Sequence, residues 1–193
     1  IALGFALVAP LSATRERHIL ISERGNLVGL VSTAGLASNA ARPSAFVFKQ
    51  WQTAMRGAPH HPPAKPSLGP ADTQTPADTQ DLADIQDPEA SGKPAVSRTA
   101  AHAGTLDLLL ASAASQPARF HCASRGICVA IHERAVIIAI DEAALIGAAC
   151  DRADLVVVAV PVYLETCRSG ATLITARTLR RSGALAIRIA EPE

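Results

Sequence analysis

"DLVVVAV", residues 154–160, is a nearly continuous apolar run carrying four valines. A strand with one wet face alternates apolar and polar residues, and this one does not, so it reads as a strand covered on both faces. Such a strand demands a layer on each side, which sets the class: an α/β (α+β) layered domain with a mixed sheet.

The neighbours of that run fit the class. Upstream, "ARFHC" (118–122), "ICVAIH" (127–132) and "AVIIAI" (135–140) read as strands, and "DEAALIGAAC" (141–150) as a helix begun by Asp141 as N-cap. "TLDLLLASAAS" (105–115) reads as a short helix, although its leucine run also suits a strand. Downstream, "ATLIT" (171–175) leads to the helix "ARTLRRSG" (176–183), with Thr175 placed to cap it and Gly183 just beyond its end. "ALAIRI" (184–189) closes as a strand. Near the start, "HILIS" (18–22) and "LVGLVS" (27–32) flank the turn-like "ERGN" and form a hairpin. In "ARPSAFVFKQWQTAM" (41–55), Pro43 fits a first helical turn and Ala45, Phe48, Trp51 and Gln52 share one broad face. Trp51, the single tryptophan, is expected to anchor the core under the hairpin.

Residues 57–104 differ in kind. They hold eight of the thirteen prolines and a near-repeat, "PADTQT", "PADTQD", "LADIQD", with six acids and no base between Ala71 and Glu89. Such a segment buries too little apolar surface to offset its ordering entropy, so it is expected to be a disordered insert. At the other extreme, "IALGFALVAPLSA" (1–13) is uncharged and mostly apolar. It is shorter than the roughly 20 residues a span requires, and the end of a transmembrane helix is preferred over a buried strand or helix of a soluble protein. The expected organisation is therefore 1–13 as helix end, 14–56 as the first part of a soluble domain, 57–104 as insert and 105–193 as the second part.

Composition limits partners. Eighteen basic against seventeen acidic side chains give a net charge of +1, so the whole-molecule field attracts no polyanion, and any nucleic-acid contact needs a local patch. Six aromatic residues leave few rings for base or sugar stacking.

The cysteines constrain compartment. Cys122 and Cys128 are separated by five residues, Cys150 and Cys167 by sixteen, spacings that match neither the close pairs of a zinc site nor the C-x-x-C of a thioredoxin-like redox motif. Two disulfides, Cys122–Cys128 across a hairpin and Cys150–Cys167 from a helix end to a loop, fit better and imply an oxidising location, periplasmic or extracellular. Four buried free thiols in a cytosolic domain are the competing possibility.

Catalytic chemistry is hard to assemble. His60 and His61 lie in the proline-rich segment with no second histidine cluster, and read as a solvated pair. No H-x-H, H-E-x-x-H, G-x-S-x-G, P-loop or G-x-G-x-x-G occurs. Helix capping and dipole effects account for Asp141 and Glu142, and surface ion pairing for Asp151, Arg152 and Asp154. No catalytic residue, metal ligand or cofactor is assigned. Between Cys150 and Ile189 there are six arginines against three acids, and Arg177, Arg180 and Arg181 share one short helix. This cluster is the candidate for phosphate or DNA contact, although such clusters are also common as plain solvated faces.

Four pieces together, "RHILISERGNLVGLVSTAGLASNAARPSAFVFKQW", "FHCASRGICVAI", "AACDRADLVVVAVPVYLETC" and "ITARTLRRSGALAIRI", resemble the region following the membrane domain in alphaproteobacterial members of the ComEC family of competence proteins. The resemblance implies a C-terminal soluble region of an inner-membrane channel for transforming DNA, facing the periplasm. Implied partners are the membrane, the competence machinery and single- or double-stranded DNA, with no small-molecule substrate. Many members of that family end in a metallo-β-lactamase-like domain proposed to degrade one DNA strand, and the valine run stands where such domains place a central strand. Here the family's H-x-H-x-D-H run has no counterpart, and "PVYLETC" replaces a His-His pair. The expectation is a degenerate, non-hydrolytic domain, with a metal-dependent hydrolase or nuclease and a cytosolic binding module as rivals. Arg15 and Arg17 just after the apolar start point the other way, toward a cytoplasmic side.

Overall fold

The computed structural model describes residues 18–65, 95–123 and 126–189. The apolar start and the repeat-bearing part of the expected insert lie outside them.

The hairpin forms as expected, with β1 (His18–Ile21) and β2 (Val28–Ser32) antiparallel and Ile19 opposite Leu30. A third strand, β3 (Gly35–Ser38), continues the meander, and β4 (His60–His61) adds in parallel. On the other side β1 pairs with the last strand, β10 (Leu185–Arg188), giving a first sheet of order β10-β1-β2-β3-β4. The second sheet is built from β5 (His121–Ala123), β6 (Ile127–His132), β7 (Ala135–Ile140), β8 (Leu155–Val158) and β9 (Thr172–Thr175), in sequence order. Its first three strands are antiparallel and its last two run parallel to β7. The layered class therefore stands, with one change: there are two mixed sheets in place of one.

Side-chain alternation shows how they stack. From the first sheet Ile19, Ile21, Val28 and Leu30 meet Ala130, Ile137, Leu155 and Val157 of the second, forming a core between the sheets. The outward residues Leu20, Val31 and Leu36 are covered by Phe48 and Trp51 of α1 (Ala45–Ala54) and by Met55, its C-cap. On the far side Val129, Ile138, Val156 and Val158 are covered by Leu106, Leu109 and Ala113 of α2 (Ala95–Ser115) and by Ile146 and Ala149 of α3 (Ile146–Cys150). The order is helix, sheet, sheet, helix. Strand β8 sends Leu155 and Val157 inward and Val156 and Val158 outward, all four buried, which is why its sequence does not alternate.

Two packing details tie sequence to layers. Gly29 leaves room for the indole of Trp51, because a Cβ there would sit 3.0 Å from the ring. Helix α4 (Ala176–Ser182) closes one end of the sandwich: Leu179 is fully buried in the inter-sheet core, and Thr175 Oγ1 accepts the Thr178 N–H at 3.2 Å. Gly183 ends that helix at φ 76°, a conformation glycine adopts without penalty.

Several expectations change. Residues 57–65 and 95–104, expected to belong to the disordered insert, form ordered elements. Ala58 is buried, the Pro59 carbonyl accepts the Leu36 N–H at 2.9 Å, and Ala64 exchanges backbone hydrogen bonds with Phe120 and Cys122. Those backbone partners lie in β3 and in or just before β5, far away in sequence, so proline content alone could not exclude them. Helix α2 begins ten residues before Thr105. Asp141 does not cap a helix; its N–H donates to Gly126 O at 3.1 Å, and a 3-10 turn (Ala143–Leu145) precedes a shorter α3. Arg152 pairs with Asp107 of α2 at 2.8 Å, and Asp154 accepts the Val136 N–H at 2.7 Å, so these residues brace the second sheet in place of pairing with each other.

Candidate functional site: a strand-end cleft and an arginine-bearing rim

At the end of the sandwich that α4 closes, a cleft of about 200 Å³ opens between the sheets. The first sheet contributes the Gly25–Asn26 turn and Asn39; the second contributes Gly126, Cys128, Asp141 and Ala159. These positions are the ends or turns of β1, β3, β6, β7 and β8, so strand register alone brings them together. Asn39 holds the wall. Its Oδ1 accepts the Val28 N–H at 2.9 Å, its Nδ2 donates to Asn26 O at 3.3 Å, and its carbonyl lies 3.5 Å from the sulfurs of both Cys122 and Cys128. Gly126, at φ 64°, lies so close to the Asp141 carboxylate that a Cβ there would overlap it.

The sulfur pairs stand at bonding distance. Cys122 and Cys128 are directly opposed in the β5–β6 ladder, with Cα atoms 4.1 Å apart. Cys150 at the end of α3 joins Cys167 across a Cα separation of 5.5 Å, and Ser169 Oγ donates to Cys150 O. The long connection from β8 to β9 is thereby fixed at its second half.

The first half of that connection projects outward. Tyr163 is 91% exposed and Leu164 47%. The Arg177 guanidinium lies 5.7 Å from the Tyr163 ring centroid and 4.0 Å from Glu165. Arg180 and Arg181, three and four residues on, are exposed on α4 and among the described residues have no ion-pair partner. The three arginines singled out by sequence thus sit on one helix, and the residue that sequence reading passed over is Tyr163, the single tyrosine, four positions before the disulfide-bonded Cys167.

The histidine pair is not simply solvated. His60 Nε2 lies 2.9 Å from Ser38 Oγ and its ring meets Phe48 edge-on at 4.5 Å; His61 Nε2 lies 3.1 Å from Ala34 O. Burial, with a smaller push from His61, holds the His60 pKa below the usual imidazole value. His121, packed beneath α2 and 2% exposed, is also lowered by burial, with Gln116 backbone opposing and Arg119 adding to the shift. Among the described residues, no three His, Cys, Asp or Glu side chains gather as a metal site would require. The cleft itself offers one carboxylate, Asp141, and carboxamides of which Asn39 is committed to backbone.

Comparison with protein-family models, curated proteins and solved structures gave no match.

Proposed function

We propose that this chain is the C-terminal soluble region of a DNA-uptake channel of the ComEC family, facing the periplasm, with a degenerate metallo-β-lactamase-like fold and no hydrolytic activity of its own. The observation that carries the reading is where the resembling pieces fall. "FHCASRGICVAI" is the β5–β6 hairpin bridged by Cys122 and Cys128, and "AACDRADLVVVAVPVYLETC" is the α3–β8 unit whose two ends are Cys150 and Cys167. "ITARTLRRSGALAIRI" carries the chain from the second sheet through α4 back to the first. Pieces that are separate in sequence are neighbours in one fold. Both sulfur pairs support an oxidising compartment, and the two-sheet, helix-covered layering supports the fold assignment. The absence of an H-x-H-x-D-H run from the sequence supports a non-hydrolytic role, because a di-metal centre needs those ligands to activate water.

The test is genetic and chemical. In a transformable host, deleting this region from the full-length protein lowers uptake of transforming DNA, and a membrane-impermeant maleimide labels its cysteines in intact cells only after reduction. Unchanged transformation, or four freely reactive thiols found only after lysis, overturns the reading. Stoichiometric zinc or manganese with DNA cleavage by the purified chain replaces it with the metal-dependent nuclease.

A further inference from the structure

Four features meet at the α4 end of the sandwich: an aromatic ring almost wholly in solvent, a guanidinium against it, two further exposed arginines on the same helix, and a covalent brace under the loop that holds the ring. Glu165 and the Tyr163 ring engage Arg177, whereas Arg180 and Arg181 have no ion-pair partner among the described residues, so this surface presents an open ring beside uncompensated positive charge. Chemically they are complementary to one kind of ligand: a flexible polyanion with planar groups between its charges. The arginines meet phosphates, and the open face of Tyr163 takes a base that is not already stacked in a duplex.

A lipid surface shares the phosphate chemistry, but its phosphates engage the arginines without needing a base on the open face of Tyr163, so the tyrosine distinguishes the two ligands.

Building on the DNA-uptake reading, we infer that Tyr163, Arg177, Arg180 and Arg181 form a single-strand-selective polynucleotide contact, with Tyr163 as the base-stacking ring and the cleft beside Gly25 as its inner border. A single ring makes this a weak, sequence-tolerant contact, suited to a strand in transit.

Fluorescence anisotropy of a labelled oligothymidylate with the purified chain tests it, alongside a duplex of the same length and vesicles of phosphatidylcholine with phosphatidylglycerol. Tyr163→Ala weakens single-strand binding by about fivefold or more and leaves duplex binding unchanged, while Tyr163→Phe retains the affinity. The double substitution Arg180→Ala with Arg181→Ala weakens both and flattens the single-strand salt dependence by a slope of about 1.4. Because these side chains are exposed, thermal unfolding of each variant stays at the parent value. The inference is overturned if Tyr163→Ala binds the oligothymidylate as the parent does, if duplex binds as tightly as single strand, or if the tyrosine matters for vesicles and not for DNA. Single-strand binding that depends on Tyr163 in a protein whose loss leaves transformation unchanged would sink the uptake reading and keep this surface; the reverse pattern would do the opposite.

Discussion

Replacing both Cys150 and Cys167 by alanine removes the one covalent tie between α3 and the β8–β9 connection. The bridge closes a loop of sequence separation 17, and the loop-entropy relation assigns such a closure about 3 kcal/mol, through the unfolded chain. Both cysteines are buried, at 5% and 7% exposure, in the cluster that holds Leu145 and Leu173, so the substitutions also leave small voids that add to the loss. For a domain of this size, a change of that order lowers the melting temperature by roughly 6–12 °C. Cys122–Cys128 closes a loop of separation 6 within a hairpin, and the same relation gives it about 2 kcal/mol. Differential scanning calorimetry of the two double variants and of the reduced parent measures both. The larger loss at 150/167 is the decisive feature. Melting temperatures indistinguishable from the parent, or the reverse ranking, would refute the claim that loop length governs these bridges.

Three further outcomes follow from packing and titration. Gly29→Ala forces a methyl within 3.0 Å of the Trp51 ring and 3.1 Å of Leu36 and destabilises by about 1–3 kcal/mol, seen as a lower urea midpoint with altered tryptophan emission. Thr175→Ala removes the cap of α4 and lowers stability by about 1 kcal/mol in the same urea titration, whereas Thr175→Ser retains most of it. Stability falls as pH drops below about 6.5, since the unfolded chain then takes up protons that buried His121 and His60 refuse, and it levels off above neutrality where neither state is charged. His121→Leu reduces that slope; a slope unchanged in the variant would place the effect elsewhere.

Local readings held where a single chemical signal suffices. Thr175 and Gly183 bracket α4 because a hydroxyl acceptor and a residue tolerant of positive φ are needed at those two points whatever surrounds them. The valine run reads as doubly covered because every one of its four strand residues is apolar. Asp141 shows the limit: it satisfies the same capping rule, yet the helical turn starts only at Ala143 and the Asp141 carboxylate packs against Gly126 across the β6–β7 ladder, a neighbour fifteen residues away that the local rule does not see. His60 and His61 fail in the same way, for a two-residue strand owes its existence to β3, a full helix earlier in the chain.

What the sequence determined by itself is the set of local states: a hairpin at 18–32, helices after Ser44 and Thr175, apolar strands at 127–132, 135–140 and 155–158, and an arginine cluster on α4. These follow from side-chain periodicity and capping, which act over a few residues. Tertiary structure alone decided that the strands divide into two sheets, since β10 joins β1 across more than 160 residues of chain and only burial of Leu185 and Ile187 against the inter-sheet core selects that edge. It also decided that Tyr163 stands in water beside Arg177, because the position of a loop is fixed by what its ends are bonded to, and those bonds run between elements distant in sequence.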